Sequence, residues 1–326
     1  MHNPPTVAVA IPTYLRGQVL LDTIEHVLAQ DPPADEIVVV DQTQEHYPEV
    51  RAKLQGWHDA RRIKWVRQAT PNLPMARNTA IRESTAEVII YIDDDVVLEP
   101  GFIGHHRSNY FDPDVVAVCG RSILLKGWTT PHRTESWPRE QDYLYFHVDG
   151  TQRVEGIASF PGCNHSVRRD AIMAVGGYDE NYIGWAYRED TDAALRLYKA
   201  GGKIVFDPLA CLTHLAAPAG GCRVDRDVKR PEWHLSFPGS YFAFRHLWPT
   251  KQFWSDVFVG NVRRYVLRRN ALKRPWFFPW VVWSYLYAAG RAWRLARRDR
   301  RTERQRQYQG SSGHASTMRS ARPVES

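Results

Sequence analysis

The sequence predicts an α/β fold built on a doubly wound, mostly parallel sheet, followed by a helical, aromatic and basic C-terminal extension. Three observations predict it. Short β-branched runs alternate with helical stretches through the first 120 residues. Those runs are continuously apolar rather than alternating, the pattern of strands covered on both faces. Beyond about residue 240 the composition shifts to Trp, Phe, Tyr and Arg. A chain of 326 residues, 43% of them hydrophobic, can bury a real core over most of its length.

Strands are expected at 7–11 (VAVAI), 36–40 (EIVVV), 63–67 (IKWVR), 88–92 (VIIYI) and 115–119 (VVAVC). Helices fall between them at 17–30, 47–58, 73–85 and 101–111, and the alternation implies crossover units winding both faces of the sheet. Residues 121–161, rich in aromatics, His and Pro, read as a long excursion over a site. The stretch 162–180 predicts a strand, a helix and a Gly-Gly stop. Residues 188–202 predict a helix with acids in its first turn and Gly201-Gly202 at its end, as dipole and capping preferences dictate. A strand at 203–207 (KIVFD) closes the domain, whose expected limits are residues 1–240.

The net charge of +7 conceals an asymmetry. Residues 263–306 hold fourteen Lys and Arg against two acids, +12, and residues 307–326 add +1, which leaves −6 on residues 1–262. The basic character belongs to an appendage, so the main domain is not expected to bind nucleic acid. Within residues 241–306 the apolar stretch Pro275–Gly290 is sixteen residues long and contains Pro275 and Pro279. That is short of the roughly 20 residues a spanning helix needs. A segment lying in a membrane interface, or a helix packed on its own domain, fits its length. Residues 307–326 are expected to be disordered. The four cysteines lack close pairing or metal-finger spacing, and no secretory signal precedes them. They are expected to be reduced thiols in a cytoplasmic protein, peripheral on the inner face of the cell membrane.

The strand VIIYI runs directly into Asp93, Asp94 and Asp95. In open α/β sheets ligands bind at the carboxyl ends of strands, and adjacent carboxylates there suit Mg²⁺ or Mn²⁺ completed by a diphosphate. An acidic turn with one capping Asp is the alternative. The triplet has company. The first strand leads into Pro12, Thr13, Tyr14 and Arg16, and the second ends in Asp41. NLPMARNTAI (Arg77, Asn78), GCNHSVRR and YREDTD follow in order. This ordered set resembles the family 2 glycosyltransferases of the GT-A fold, a Rossmann-like doubly wound architecture, from residue 6 to about 215.

The resemblance implies roles. Pro12, Thr13, Tyr14 and Arg16 would form the first nucleotide loop. Asp41 would accept a hydrogen bond from the base, Arg77 would lie near the diphosphate, and Asn78 would support the loop. In the Asp-x-Asp pattern Asp93 and Asp94 would contact the donor, and Asp95, with Asp93, would hold the metal. Asp190 would be the base and Glu189 would orient the acceptor or the helix start, with Asp192 structural. Gly162 and Asn164 would floor the sugar site. Trp185 would line the acceptor side, although GWAYRED lacks the Trp-Gly-Gly that often precedes the Glu-Asp pair. His214 stands where related enzymes sometimes place a metal ligand, and Pro218–Gly221 would be a mobile lid. No Gln-x-x-Arg-Trp follows, which implies a non-processive, inverting enzyme that moves one sugar from a nucleotide-diphosphate donor to a glycan or lipid-linked acceptor. A sugar nucleotidyltransferase would open with a Gly-rich loop, which IPTYLRGQ is not. A silent binding protein of the same fold is the remaining alternative.

Overall fold

The computed structural model describes residues 3–124, 148–221, 233–254, 276 and 278–319, the last nineteen as backbone only. The chain divides into two units, Met1–Asp227 and Val228–Ser326. The division falls ahead of residue 240 because Trp233–Phe242 is a helix of the second unit.

In the first unit the strands are β1 (Val7–Thr13), β2 (Glu36–Asp41), β3 (Lys64–Arg67), β4 (Val88–Ile92), β5 (Val96–Leu98), β6 (Val115–Leu124), β7 (Val154–Glu155), β8 (Asn164–Arg168) and β9 (Lys203–His214). Their order in one sheet is β3-β2-β1-β4-β8-β6-β9-β5, with β7 on β9. β1 pairs in parallel with β2 and β4, and β2 with β3. β8 is antiparallel to both β4 and β6, so β6 runs the same way as β4 and carries β9 parallel beside it.

Alternate strand residues face opposite layers. Val7, Val9, Ile11, Ile37 and Val39 meet α1 (Gln18–Leu28), α2 (Pro48–Asp59) and α4 (Phe102–Ser108). Ala8, Ala10, Val38, Val40 and Ile89 meet α3 (Leu73–Glu83), α5 (Arg169–Ala174) and α6 (Glu189–Lys199). Small strand residues on that face let α3 approach through Ala76 and Ala80. α3 starts where expected because Asn72 caps it, its side chain accepting from the Met75 amide at 2.9 Å.

Two strands run past their predicted ends. The expected strand at 203–207 continues through Pro208 to His214, and the expected strand at 115–119 continues to Leu124. The register between them jumps: Gly120 pairs with Asp207, but Arg121 pairs with Cys211. Pro208, Leu209 and Ala210 form the bulge, which is where a strand tolerates proline. Asn164 pins it by donating from Nδ2 to the Arg121 and Ala210 carbonyls at 2.8 and 3.0 Å. Only a glycine fits at position 120, since a Cβ there would lie 2.3 Å from Asn164 Oδ1. Beyond the bulge β9 turns onto β5 with Val96 opposite His214.

Cys119, Cys163 and Cys211 are free thiols. Cys222 and most of the expected excursion at 121–161 lie outside the described residues.

The second unit contains α7 (Trp233–Phe242), α8 (Lys251–Trp254) and the long helix α9 (Phe278–Arg319). α9 continues through most of the segment expected as a disordered tail. Tyr241 of α7 donates a 2.5 Å hydrogen bond to Asp299 of α9. Much of 241–276 lies outside the described residues, including the basic stretch from Arg263 to Arg274.

Candidate active site

The carboxyl ends of β1, β2 and β4 lie at one edge of the sheet, with Thr13 opposite Asp41 in register. The aspartate triplet follows directly on β4, so burial and charge collide there. Asp94 accepts from Thr13 Oγ1 at 2.7 Å and from Arg16 Nε at 2.9 Å. The other arm of Arg16 reaches Asp95 Oδ2 at 3.1 Å. Burial nevertheless raises the Asp94 carboxyl to about 6 against the pull of Arg16 and Thr13, and the Asp95 and Asp93 charges push the same way. Asp95 is raised too, by burial first and by the Asp93 charge second. The triplet is under-compensated.

His214 arrives through the β9 bulge. Its Nε2 lies 3.2 Å from Asp93 Oδ2 and 3.3 Å from Asp95 Oδ1. One ligand atom from each of Asp93, Asp95 and His214 falls within 4.8 Å of the others. Two carboxylate oxygens and an imidazole nitrogen converging with surplus negative charge fit a divalent cation such as Mn²⁺. The chain after His214 folds back over the triplet: Ala217 N–H donates to Asp95 Oδ2 at 2.8 Å, and Leu215 N–H to the Asp95 carbonyl at 2.9 Å. Arg16 also donates to the Ala219 carbonyl, and Gly221 N–H to the Tyr14 carbonyl at 2.7 Å. The stretch expected as a lid is thus docked against the first loop.

The second acidic group opens α6. Its approach is wound through left-handed backbone at Gly184, Ala186 and Arg188, with φ of 68°, 50° and 70°. The two non-glycine positions are costly conformations of the kind that persist where surrounding structure enforces them. Glu189 is buried in an ion pair with Arg77, which also donates to the Gly162 carbonyl at 3.1 Å. The guanidinium lies 5.3 Å from the Tyr178 ring and 5.9 Å from the Tyr91 ring. Asp190 accepts from the Gly162 amide at 2.7 Å and from Thr191 N–H at 2.6 Å. Burial raises its pKa, opposed by Arg77 and these amides. A Cβ at Gly162 would lie 2.7 Å from Arg77 Nη2, so a side chain there would have to displace the buried guanidinium. Cys163 connects the two groups. Burial and the charges of Asp93 and Asp190 push its thiol up to about 12, so it stays protonated.

A match to the family described as glycosyl transferase family 2 covers residues 8–176, more than half of the chain. The chain belongs to glycosyl transferase family 2. A second match, to the N-terminal domain of galactosyltransferase, covers residues 145–215. The chain is 27% identical over 222 residues to the glucosyl-dolichyl phosphate glucuronosyltransferase of Haloferax volcanii, covering 64% of this chain and 68% of that one. It is 27% identical over 210 residues to the succinoglycan biosynthesis protein ExoM of Rhizobium meliloti, 63% of this chain and 65% of that one. Against the pre-mycofactocin glycosyltransferase of Mycobacterium tuberculosis it is 28% identical but spans only 29% of the relative's length. Among solved structures, the mannosyltransferase PcManGT from Pyrobaculum calidifontis in complex with GDP-Man and Mn²⁺ aligns with a TM-score of 0.53 and 19% identity, over 88% of this chain and 76% of that one. GalNAc-T7 with UDP, GalNAc and Mn²⁺ gives 0.55 and 15%, over 78% and 55%. These likenesses establish the GT-A fold, and the family makes the chain a glycosyltransferase.

Within this family 2 enzyme most of the expected site residues gather in two sets. Thr13, Arg16, Asp93, Asp94, Asp95 and His214 form one cluster, with Pro12 and Thr13 at the end of β1 rather than in a loop and Tyr14 just beyond it. Glu189, Asp190, Arg77 and Gly162 form the second. Trp185 stands ahead of α6, stacked on Tyr187 at 5.0 Å. Asn78 clamps the chain after α5, exchanging hydrogen bonds of 2.8 Å with Tyr178 N–H and C=O. Asp192 is buried against Arg196, in keeping with a structural role.

Three of the expected residues are engaged within the protein. Arg77 is buried in its ion pair with Glu189. Asn164 is fully buried, holding the β6–β9 bulge and accepting from His106 Nε2 at 3.0 Å. Asp41 is fully buried, with His46 Nε2 at 2.7 Å and Trp65 Nε1 at 3.0 Å on one oxygen and the Thr43 amide at 2.9 Å on the other. Sequence reasoning missed the backbone amides of Leu215 and Ala217 and the thiol of Cys163. The resemblance brought His214 to the triplet, and Pro208 in the middle of an apolar run was the signal for the bulge that carries 215–217 there as well.

Proposed function

We propose that the enzyme transfers one sugar from a nucleotide-diphosphate donor to a hydroxyl of a glycan or lipid-linked acceptor, with inversion at the anomeric carbon. The observation that carries this reading is the convergence of Asp93, Asp95 and His214 within 4.8 Å at the strand ends. Asp93, Asp95 and His214 would hold Mg²⁺ or Mn²⁺, and that cation supplies neutralisation of the charge that gathers on a departing diphosphate.

The remaining chemistry falls to the chain. Asp190 takes the proton of the acceptor hydroxyl as that oxygen bonds to the anomeric carbon. The bond to the diphosphate oxygen breaks, and its electron pair leaves with the nucleotide. A carboxylate raised by burial is a better base near neutral pH than an ordinary one, and the amides of Gly162 and Thr191 orient it. The Arg77–Glu189 pair holds the start of α6 and leaves Asp190 as the carboxylate available there. Attack and departure on opposite faces give inversion in a single displacement.

The relative named as a dolichyl phosphate glucuronosyltransferase supports a lipid-linked acceptor as the class to test first. No helix among the described residues is long and apolar enough to cross a membrane. The basic, aromatic segment 263–306 supports peripheral attachment to the cytoplasmic face of the cell membrane.

A thermal-shift titration with UDP, GDP, TDP and CDP, each with and without Mn²⁺, tests the reading on wild type and Asp95→Ala. Metal-dependent stabilisation by one nucleotide, lost in the variant, is expected, because a ligand that binds the native state raises Tm by mass action. Folded protein that responds to none of the four contradicts the reading.

A further inference from the structure

The helix α9 carries two apolar stripes where a helix packed on its own unit needs one. Val281, Tyr285, Ala288, Ala292 and Ala296 recur at spacings of four, three, four and four, and all are buried. α7 lies against this helix: Arg291 stands 4.8 Å from the Trp233 ring, and Tyr241 bonds Asp299. The second stripe is Trp280 and Trp283, 51 and 52% exposed, with Leu286 at 61% beside them and Trp276 at 77% just ahead of the helix; Tyr287, 39% exposed, ends it where one edge meets the Trp233 ring at 5.6 Å. The rings form a ladder, Trp280 on Trp283 at 4.9 Å and Trp283 on Tyr287 at 5.4 Å. Arg294 and Arg298, both exposed, continue the same stripe at spacings of seven and four.

The outer stripe therefore changes chemistry along its length, from stacked indoles to guanidinium groups. It is set in the segment, 263–306, that carries +12. Indole rings favour the headgroup region of a bilayer, where an apolar body and a polar N–H are both accommodated. Arginine stems lie along apolar surface while the head group reaches phosphate. A second copy of the chain is a poorer occupant, since pairing would bring two +12 segments together. An acidic polymer would be met by the arginines but would leave the tryptophans in water.

We propose that the outer stripe of α9, from Trp276 to Arg298, is the surface by which the enzyme lies on an anionic membrane, its aromatic half among the headgroups and its arginine half on lipid phosphates. This deepens the peripheral-membrane element of the proposed function and rests on it, but the stripe and its polarity follow from the packing of α9 alone.

The experiment is co-sedimentation of the full chain with phosphatidylcholine vesicles, with and without phosphatidylglycerol, at low and high salt. Wild type is compared with Trp280→Ser/Trp283→Ser and with Arg294→Gln/Arg298→Gln. Binding that requires phosphatidylglycerol, weakens with salt and falls about tenfold or more in each double variant is expected. Tm and the nucleotide-dependent thermal shift should stay at wild-type values. Should the aromatic double variant melt lower, Trp280→Ser and Trp283→Ser singly carry the test. The proposal is overturned if wild type does not bind anionic vesicles or if the variants bind as wild type does. It is also overturned if light scattering shows that the substitutions split a dimer, or if RNA binds with the same dependence on the aromatic residues. The nucleotide response separates the two readings: wild type that responds to a nucleotide but does not bind anionic vesicles sinks the surface alone, and wild type that binds vesicles but responds to no nucleotide sinks the transferase chemistry alone.

Discussion

At the carboxyl end of the sheet, the Asp93–Asp95 triplet and the Glu189–Asp190 pair are both runs of adjacent carboxylates, yet their counter-charges are arranged differently. Glu189 has a guanidinium to itself, buried between two tyrosine rings and fixed again on the Gly162 carbonyl. The same guanidinium also opposes the rise that burial imposes on the Asp190 carboxyl. In the triplet, Arg16 is divided between Asp94 and Asp95, and the outermost oxygens of Asp93 and Asp95 converge on a single imidazole nitrogen. In the proposed reading the closed pair aims a base, and the open cluster, where oxygens of Asp93 and Asp95 converge on His214, is where a cation would sit.

Substitutions that confuse the two regions test the comparison. Asp95→Asn removes a ligand from the open cluster and should lower kcat/KM by about 10³-fold or more, with loss of Mn²⁺-dependent nucleotide binding. Asp190→Asn should lower kcat by about 10²–10⁴-fold, the usual worth of a general base, while nucleotide and Mn²⁺ still stabilise the protein. If both variants lose nucleotide binding equally, the regions are not separate in function. Arg77→Met leaves Glu189 buried without its partner and should cost about 3–5 kcal/mol in denaturant unfolding, most of it recovered in Arg77→Met/Glu189→Leu. Failure of the double variant to recover would mean that Arg77 serves more than its partner.

The smallest effect is one of pH. Burial holds Asp94 at about 6, above the value of about 3.9 expected for an unfolded Asp. Between those values the native state keeps a proton that the unfolded chain has released. The stability this contributes is complete below the unfolded pKa and is lost as pH rises through about 6. Asp95 and Asp190 are raised by burial and add the same sign. Metal-free protein should therefore lose stability from pH 4 to pH 7 through these groups, and Asp94→Asn should flatten the slope, read by urea unfolding across the range.

Most of the first unit was legible because its signals are local. β-branched runs, the Asn72 cap and the Gly201-Gly202 stop each act within a few residues of themselves. The triplet was legible because three carboxylates at a strand end have few stable explanations. What escaped depended on distant partners. A proline at 208 reads as a strand end, and only the Asn164 amide across the sheet shows that the strand bulges and continues to His214. The internal partners of Arg77 and Asp41 were not legible in the motifs that carry them. Whether a charge is spent internally depends on Glu189, 112 positions away, or on His46 and Trp65. The part Asn164 plays in the bulge was hidden for the same reason, its amide bonding carbonyls 43 and 46 positions away.

The central claim is that Asp93, Asp95 and His214 form a cation site separate from the Asp190 base. Titration of Mn²⁺ followed by electron paramagnetic resonance tests it most directly, on wild type, Asp95→Ala, His214→Ala and Asp190→Asn, each with the nucleoside diphosphate that stabilises wild type. One bound Mn²⁺ in wild type and Asp190→Asn, weakened in His214→Ala and lost in Asp95→Ala, is the predicted result. Mn²⁺ held equally by Asp95→Ala, or by none of the four folded proteins, would contradict the account.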